Sequence, residues 1–326
     1  MSRNVLLVGC GEIGSRHLQA IASLGEVNQV EIVDERVEAH QLGQERLKEI
    51  SDLNPRITFR WLRAIEEATP VGSLCIIATQ AKGRAALMKK ISGMLEYNRF
   101  LVEKVVTQSV GEYEDLLQFS RARNVRAWVN CKTRASEFHV RARRLLESDA
   151  PIQFSVFAGN HGLAMNGIHS VDLFVYYDRC RTLTRVGEFL NPVVQPTKRG
   201  TYDLSGTLSA RSDRNSNLCI SFASDHLAPP SYLVASSQYR FFLEQWDRIA
   251  YESTPGDNWT WRRVPFEENL LISHMSKRIV RDILTDDRCL LPTLEEAYPA
   301  HAFVLAELLE QFRKLMNIEL DSCPIT

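Results

Sequence analysis

The sequence lacks any apolar run long enough to cross a membrane. Hydrophobic residues make up 44% of the 326 positions, yet no window approaches the roughly 20 consecutive apolar residues that a spanning helix needs. It also lacks an excess of charge, since 39 Lys and Arg stand against 40 Asp and Glu, for a net charge of -1. We therefore expect neither a nucleic acid, nor a membrane surface, nor a polyanion as a partner.

Metal-binding and disulfide patterns are missing as well. The seven cysteines are scattered and form no C-x-x-C pair, and the eight histidines form no H-x-x-x-H cluster. We therefore expect no metal site. An odd, dispersed set of thiols is typical of a reducing compartment, and the N-terminus enters a strand directly, which leaves no room for a signal peptide. These features predict a cytoplasmic protein.

The first 34 residues have the pattern of a βαβ unit. An apolar strand (4–8) leads into glycines spaced G-x-G-x-x-G, and a helix and a second strand follow before an acid at Asp34. This order is typical of a unit that binds a dinucleotide, with its phosphates at the helix start. Gly9 would permit the tight turn, Gly11 would let the backbone approach the pyrophosphate, and Gly14 would let helix and strand pack closely. A glycine turn in some other α/β protein is the alternative.

The chain as a whole indicates two domains. Strand and helix patterns alternate up to residue 130, which predicts an α/β fold whose first domain, over 1–130, is a doubly wound parallel sheet of the Rossmann type. Longer strand candidates then follow one another with short turns, including a single strand over 202–210. This pattern predicts an α+β domain over 131–326 with an open mixed or antiparallel sheet.

Three helices are predicted in the second half of the chain. Two of them cover 168–177 and 268–284. Thr293 and Glu296 have the spacing of a capping box, and the final helix is expected over 293–316, packing back on the first domain.

Polar side chains follow several strands of the predicted parallel sheet. Ala78 and Thr79 end one strand, Glu103 and Lys104 end the next, and Asn130 ends the one after. Ligands of such sheets bind outside the carboxyl ends of the strands. A lysine at that place favours an anionic or oxygen-rich ligand, and a surface lysine paired with Glu103 is the alternative.

His169 is the second candidate for chemistry. We place it at the start of a helix, where the dipole lowers the pKa of a histidine, so that a neutral imidazole could take the proton of a substrate alcohol. A histidine that caps or bridges two elements is the alternative, and Asp172 could hold His169 or form a salt bridge. Other nearby polar side chains could bind hydroxyls, carboxylates or phosphates: Lys132, Arg134, Asn160 and His161.

In their order and spacing these residues resemble the Gfo/Idh/MocA oxidoreductases, NAD(P)-dependent enzymes that act mainly on sugars and polyols. The resemblance implies that Lys104 hydrogen-bonds the reacting oxygen, that His169 is the acid or base, and that homodimers or homotetramers pair their second-domain sheets. The cofactor-binding residues that it implies are Gly9, Gly11, Glu12, Ile13, Gly14, Asp34, Ala78, Thr79 and Glu103. The substrate-binding residues expected are Asn130, Arg134, Asn160, His161, Asn166 and Asp172.

The sequence departs from the pattern of that family at four positions. Val105 and Gln80 stand where prolines are usual, and Arg84 stands where a histidine is often found. Met165 replaces an aspartate four residues before the candidate histidine, and a thioether can neither orient a proton nor stabilise a charge. Asn166 or Asp172 could take over the role of that aspartate.

The function expected from this resemblance is hydride transfer between NAD(H) and a secondary alcohol or ketone. Residues 159–169 and 274–277 look most like members from surface-polysaccharide and nonulosonic-acid gene clusters, which suggests a sugar, a sugar acid or a nucleotide sugar as substrate. Asp34 favours NAD over NADP, while the nearby Arg36 leaves the use of NADP open. A catalytically impaired nucleotide-binding regulator or scaffold on the same fold is the alternative.

Overall fold

The computed structural model describes residues 3–146, 150–197, 200–266 and 268–326. The chain divides into two compact units. The first contains Met1–Thr107, Gly111–Lys132 and Asn269–Glu296, and the second contains Gln108–Val110, Thr133–Glu268 and Ala297–Thr326. The segment 269–296, which we expected in the second domain, is therefore grouped with the first unit.

Strands and helices alternate in the first unit. They are β1 (Asn4–Val8), α1 (Gly14–Ile21), β2 (Gln29–Val33), α2 (Val37–Lys48), β3 (Thr58–Leu62), β4 (Leu74–Ile77), α3 (Arg84–Met94), β5 (Arg99–Val102), α4 (Val110–Ala122) and β6 (Arg126–Val129). The strands form a six-stranded sheet in the order β3-β2-β1-β4-β5-β6, with every pair parallel.

The central strands of this sheet are apolar and lie in the core of the first unit. Every residue of β1 and of β4 is buried, as is usual for strands of a doubly wound parallel sheet. The strand order reverses next to β1, where β2 lies on one side and β4 on the other. Ligands of such sheets bind at this switch point. The predicted parallel sheet is confirmed.

The second unit is built around a larger sheet. Its elements are α5 (Glu137–Leu145), β7 (Gln153–Gly159), α6 (Leu163–Asp178), β8 (Leu183–Leu190), β9 (Gln195–Pro196), β10 (Tyr202–Asp203), β11 (Gly206–Ser212), β12 (Asn217–Ala223), β13 (Ala228–Ala235), β14 (Arg240–Glu244), β15 (Ile249–Ser253) and β16 (Arg262–Val264). Eight of the strands form one sheet in the order β16-β15-β14-β13-β7-β12-β11-β8, while β9 and β10 form a separate ribbon.

This eight-stranded sheet is mixed, as predicted. The pair β7 and β12 is parallel, and the other neighbouring strands are antiparallel. Side chains alternate along β7, where Phe154 and Val156 are buried while Ser155 and Phe157 are exposed. The rings of Phe154 and Phe174 meet edge to face, so α6 covers the buried face of the sheet.

Two further helices complete the described chain, α7 (Ile272–Asp286) and α8 (Leu294–Met316). Helix α7 packs against α1, which explains why its segment belongs to the first unit. The capping box before α8 is confirmed: Thr293 Oγ1 accepts the Glu296 N–H at 3.2 Å, and Glu296 Oε2 accepts the Thr293 N–H at 2.9 Å. Among the described residues, none of the helices combines the length and apolar composition that a bilayer crossing requires.

Two expected elements differ from the structure. The single strand predicted over 202–210 is broken after Asp203, because β10 pairs with β9 whereas β11 joins the large sheet from Gly206 onward. Helix α6 begins at Leu163, not at residue 168. The glycines and asparagines before residue 168 indicated a loop, but contacts from a distant part of the chain start the helix earlier.

Candidate active site

The residues that follow the strands of the first sheet lie side by side at its carboxyl edge. Each donates its backbone N–H to the end of a neighbouring strand, so the parallel ladder continues one residue past each strand. These bonds are Gly9 to Val33 at 2.8 Å, Ala78 to Val8 at 2.8 Å, Glu103 to Ile77 at 3.1 Å and Asn130 to Val102 at 2.8 Å. The edge therefore brings together the glycine loop and three of the predicted polar strand ends.

The glycine loop needs its glycines for two separate reasons. Gly9 has a φ of +87°, which only glycine adopts without strain, and a Cβ there would lie 3.0 Å from the Ala78 backbone. A Cβ on Gly14 would lie 1.9 Å from the Gly9 carbonyl oxygen, so α1 can start this close to β1 only with glycine. At Gly11 the nearest atom to a Cβ would be Arg36 Nη2 at 3.5 Å. The backbone of this loop thus fits the approach of a pyrophosphate.

The start of α1 is fixed by a buried arginine of α2. Arg46 Nη1 donates to the Glu12 carbonyl and to Ser15 Oγ, both at 2.5 Å, and Nη2 pairs with the Glu12 carboxylate. Ile13 is the residue immediately before the helix. Glu12 and Ile13 are therefore held at the helix N-terminus, where backbone N–H groups and the helix dipole favour an anion.

Asp34 lies at the end of β2 beside the glycine loop. Its carboxylate accepts the Cys10 N–H at 2.8 Å and both side-chain donors of Arg36 at 3.0 Å. Burial would raise the pKa of Asp34, but the Arg36 guanidinium and the backbone N–H groups together hold this pKa below its ordinary value. The site therefore presents an ionised carboxylate and a half-exposed guanidinium to whatever binds the loop.

Glu103 is the centre of a buried hydrogen-bond network. Its Oε1 accepts from His17 Nε2 at 2.9 Å and from Asn130 Nδ2 at 2.5 Å, and His17 Nδ1 lies 2.9 Å from Ser276 Oγ on α7. Burial would raise the pKa of Glu103, but the hydrogen bond and charge of His17, with smaller contributions from Asn130 and Lys104, hold it below its ordinary value. The side chain after β5 is thus an ionised carboxylate fixed on several sides.

Lys104 follows this carboxylate, and its peptide bond to Val105 is cis. The buried guanidinium of Arg84, the first residue of α3, donates to the carbonyl of Glu103 at 2.6 Å and to that of Val105. Its other terminal nitrogen donates to the Thr79 carbonyl. One side chain therefore holds both carbonyls that flank Lys104 and links the ends of β4 and β5.

A second lysine belongs to the same edge. The Lys132 ammonium donates to the Leu270 carbonyl at 2.5 Å. Burial lowers the pKa of Lys132, the charge of Glu103 opposes that shift, and the charge of Lys104 adds to it. Lys132 is thus close enough to both residues to interact with them electrostatically.

His169 lies on α6 in the second unit, and its expected place at a helix start is wrong. Because α6 begins at Leu163, His169 is in the second turn, beyond the first turn over which the helix dipole acts strongly. Met165, Asn166 and His169 are the partly exposed positions of consecutive turns on one face of this helix. The face that carries His169 is therefore set by the early start of α6.

Asp172 and Arg134 form a buried salt bridge with each other. Arg134 Nε and Nη2 donate to the two carboxylate oxygens of Asp172 at 2.9 and 2.8 Å, and both side chains are buried. The guanidinium of Arg134 also lies over the ring of Tyr176, 4.7 Å from its centroid. This pair fixes the segment before α5 against α6, and a role for either residue in binding a substrate stays a prediction.

The other three predicted substrate residues cluster just before and within the first turn of α6. Asn160 is exposed with a φ of +46°, and its N–H donates to the Ala223 carbonyl. The His161 ring packs edge to face on Phe222, and the His161 carbonyl accepts from Asn166 Nδ2 at 2.6 Å. The side chain of Asn166 thus stabilises the loop before α6 by a hydrogen bond to its backbone.

Sequence reasoning missed three structural contributors. It noticed Arg84 only as a departure from a pattern, and no local feature of the sequence indicated that this side chain binds three carbonyls. It gave no role to Ser276, and it overlooked Asp203, whose carboxylate receives backbone N–H groups of α6. Across residues 3–146, 150–197, 200–266 and 268–326, no group of three or more His, Cys, Asp or Glu side chains is arranged to hold a metal ion.

No protein-family model and no curated protein matches the sequence, whereas solved structures match the fold. A UDP-N-acetylglucosamine 3-dehydrogenase from Acidithiobacillus ferrooxidans is 13% identical with a TM-score of 0.71, covering 94% of this chain and 96% of that one. A 3-ketoreductase from Actinomadura kijaniata, crystallised with NADP and TDP-benzene, is 13% identical with a TM-score of 0.70, covering 94% and 97%. An oxidoreductase from Agrobacterium radiobacter, crystallised with NAD+, L-tartaric acid and magnesium, is 14% identical with a TM-score of 0.73, covering 95% and 96%.

Proposed function

We propose that this chain is an NAD(P)-dependent oxidoreductase of the Gfo/Idh/MocA type that acts on a CH–OH group of a sugar-like substrate. The observation that carries the proposal is the carboxyl edge of the first sheet. There a loop shaped by Gly9 and Gly14 lies beside Asp34, and Lys104 follows β5 of the same sheet, with both of its flanking carbonyls held by Arg84. The three structural neighbours described above are named as a dehydrogenase, a ketoreductase and an oxidoreductase, which supports the same function.

The cofactor would be held by the glycine loop and the neighbouring strand ends. The N–H groups of Gly11, Glu12 and Ile13 at the start of α1 suit a pyrophosphate, and the Asp34 carboxylate suits ribose hydroxyls. Ala78, Thr79 and Glu103 would line the inner part of the site. We propose NAD as the preferred cofactor, because a 2′-phosphate would meet the Asp34 carboxylate, although Arg36 offers that phosphate a guanidinium.

Lys104 and His169 are the residues that we propose for the chemistry. Bound NAD(P) would supply a nicotinamide that exchanges a hydride with the substrate carbon. The Lys104 ammonium would donate a hydrogen bond to the substrate oxygen, which lowers the pKa of an alcohol or polarises a ketone. Electrostatic help of this kind lowers a barrier by about 3–4 kcal/mol. His169 would accept the alcohol proton in oxidation and return it in reduction.

The substrate would be a sugar, a sugar acid or a nucleotide sugar. Two neighbours support the nucleotide-sugar class, since one is named for UDP-N-acetylglucosamine and another was crystallised with a TDP derivative. Asn130, Arg134, Asn160, His161, Asn166 and Asp172 stay the predicted substrate residues. A place in surface-polysaccharide or nonulosonic-acid biosynthesis and a cytoplasmic location also stay predictions.

We further propose a homodimer or homotetramer formed through the open face of the eight-stranded sheet. Phe157 on β7 is 51% exposed and Phe189 on β8 is 83% exposed. The register places both on one face, because Phe157 pairs with Ser221, Ser221 with Thr207, and Thr207 with Phe189. Apolar side chains that share an exposed sheet face are typical of an interaction surface.

The test of the catalytic proposal is Lys104→Ala. Turnover is measured as NADH or NADPH absorbance against a panel of sugars, sugar acids and nucleotide sugars in both directions. We expect kcat to fall by about 100-fold or more, because the hydrogen bond to the reacting oxygen is lost, while the cofactor Kd measured by fluorescence titration stays unchanged. Lys314→Ala, an exposed lysine of α8, is the matched control.

The outcomes separate the two candidate functions. Full activity of Lys104→Ala on an identified substrate would refute the mechanism. Binding of NAD(H) without turnover of any substrate in the panel would favour the nucleotide-binding regulator, for which the thioether at Met165 is the main support.

A further inference from the structure

Helix α6 starts against a carboxylate from a distant strand. Asp203 Oδ1, on β10, accepts the backbone N–H of Ala164 at 2.8 Å and that of Met165 at 3.2 Å, and it also accepts the Leu204 N–H at 2.8 Å. The first N–H groups of a helix have no partner within the helix, so an acceptor outside it must satisfy them. A negative charge at this end is also favoured by the helix dipole.

The chain makes room for this carboxylate at Gly162. A Cβ on Gly162 would lie 1.9 Å from Asp203 Oδ2, and the φ of +80° at Gly162 disfavours any other residue. The second carboxylate oxygen therefore occupies the place that a side chain would fill. Gly162 and Asp203 are distant in sequence, and their fit is an observation independent of the hydrogen bonds.

The position of the carboxylate bears on His169 through the geometry of the helix. Met165 and His169 are four residues apart, so they lie on one face about 6 Å apart along the axis. Side chains on a helix lean toward its N-terminus. The imidazole of His169 therefore leans toward the turn whose backbone holds Asp203.

We propose that Asp203 is a positioning residue for His169, whose carboxylate at the first turn of α6 stabilises the protonated imidazole and so sets the proton affinity of the proposed acid or base. The inference rests on the role proposed for His169 above. It also accounts for a thioether at position 165, because a carboxylate reaches the same turn from β10.

Several other titratable groups surround this helix, and Asp203 is the carboxylate that binds its first turn. On α6 itself, Asp172 is neutralised by Arg134, and Tyr176 lies under the Arg134 and Arg143 guanidinium groups. Asp178, at the far end, accepts from Ser216. Further titratable groups around the helix are Tyr177 on α6 itself, whose hydroxyl lies 2.5 Å from His139 Nδ1, Tyr202 on β10, His161 before the helix, Cys219 on β12, and Tyr232 on β13, whose hydroxyl hydrogen-bonds Ser170.

The deciding experiment is an NMR titration of His169 in the full chain, assigned by the signal that disappears in His169→Gln. Asp203→Asn keeps an oxygen acceptor for the helix and removes the charge, and Asn caps helices as well as Asp does. For two charges about 8 Å apart at an effective dielectric constant of about 20, losing one of them should lower the pKa of His169 by about 1.5 units. The double variant Met165→Asp/Asp203→Asn should restore the wild-type pKa of His169, because it returns a carboxylate to the first turn. Asp213→Asn, which removes a carboxylate that accepts the Arg181 N–H elsewhere in the unit, should leave it unchanged.

Each outcome decides the proposal. If His169 titrates identically in the wild type and in a folded Asp203→Asn variant, Asp203 is a helix cap alone and the inference is overturned. Met165→Asp on the wild-type background gives a second measurement that leaves Asp203 intact, and an unshifted pKa there also counts against it. Because the titration needs no substrate, it separates this inference from the proposed function. If an activity is found, the limb of its rate-against-pH profile should disappear in His169→Gln and move to lower pH in Asp203→Asn. An unchanged limb in His169→Gln would contradict the proposed role of His169, not that of Asp203.

Discussion

Replacing the guanidinium of Arg84 is expected to lower both the stability of the protein and its turnover. Arg84 is 2% exposed and donates to the carbonyls of Thr79, Glu103 and Val105. Arg84→Lys keeps the positive charge but replaces a planar fork by a single ammonium. The three donors of an ammonium all lie on one nitrogen, so they cannot reach three carbonyls that two separate nitrogens of the guanidinium bind.

The size of the effect follows from the number of bonds lost. A hydrogen bond to a charged group contributes about 1.5–3 kcal/mol. If the ammonium of Arg84→Lys keeps one carbonyl and loses two, the free energy of unfolding should fall by about 3–6 kcal/mol. The Glu103 and Val105 carbonyls flank Lys104, so its ammonium should also become less well placed, and misplacement by about 1 Å can cost roughly 100-fold in rate.

Urea unfolding followed by circular dichroism measures the first quantity, and steady-state kinetics on an identified substrate measures the second. Arg123→Lys, an exposed arginine after α4, is the control for the chemical change itself. We expect kcat of Arg84→Lys to fall more than the cofactor affinity, since two of the three carbonyls flank Lys104. A variant with wild-type unfolding midpoint and wild-type kcat would show that the three carbonyls do not depend on Arg84.

Three further predictions follow from the described contacts. Asp34→Ser should shift cofactor preference toward NADP by about tenfold or more, because Arg36 loses its carboxylate partner; the ratio of kcat/KM for NADPH and NADH checks this, and an unchanged ratio contradicts it. Burial lowers the pKa of His139 from 6.5 to about 3. Below pH 6.5 the imidazole is therefore protonated in the unfolded chain but not in the folded chain, and the free energy of unfolding should fall by up to about 1.4 kcal/mol per pH unit. A folded His139→Gln variant should show a shallower slope in urea unfolding across that range, and an equal slope would contradict the assignment. Phe157→Asp combined with Phe189→Asp should reduce the mass measured by light scattering without unfolding the chain, and an unchanged mass would contradict the proposed interface.

The first unit could be predicted in detail because its signals are local. Buried strands such as β1 and β4 are continuous apolar runs, and the glycine spacing fixes the turn between β1 and α1. Parallel strands end at one edge, so the residues after them could be placed together before any contact was known. What spacing could not show was the bonding at that edge, where His17 and Asn130 both bind Glu103.

The second unit was harder to predict because distant contacts decide where its elements begin and end. Residues 202–210 alternate like one strand, yet β9 captures the first two residues and the large sheet takes the rest from Gly206. The start of α6 likewise depends on Asp203, which the sequence places 38 residues after Met165. Neither pairing leaves a periodic signal in the local sequence.

The departures from the family pattern indicate where this chain differs, and the structure suggests what replaces the usual residues. At Arg84 a larger side chain reaches carbonyls up to 21 residues further along the chain, which a shorter imidazole could not join in the same way. At Met165 the backbone, rather than the side chain, binds a carboxylate supplied by β10. In both cases the substituted position still contacts a polar group, through a longer side chain at Arg84 and through the backbone at Met165. A missing catalytic side chain is therefore weak support for a lost activity until the neighbourhood of its position is known, and the titration of His169 in Asp203→Asn measures that neighbourhood directly.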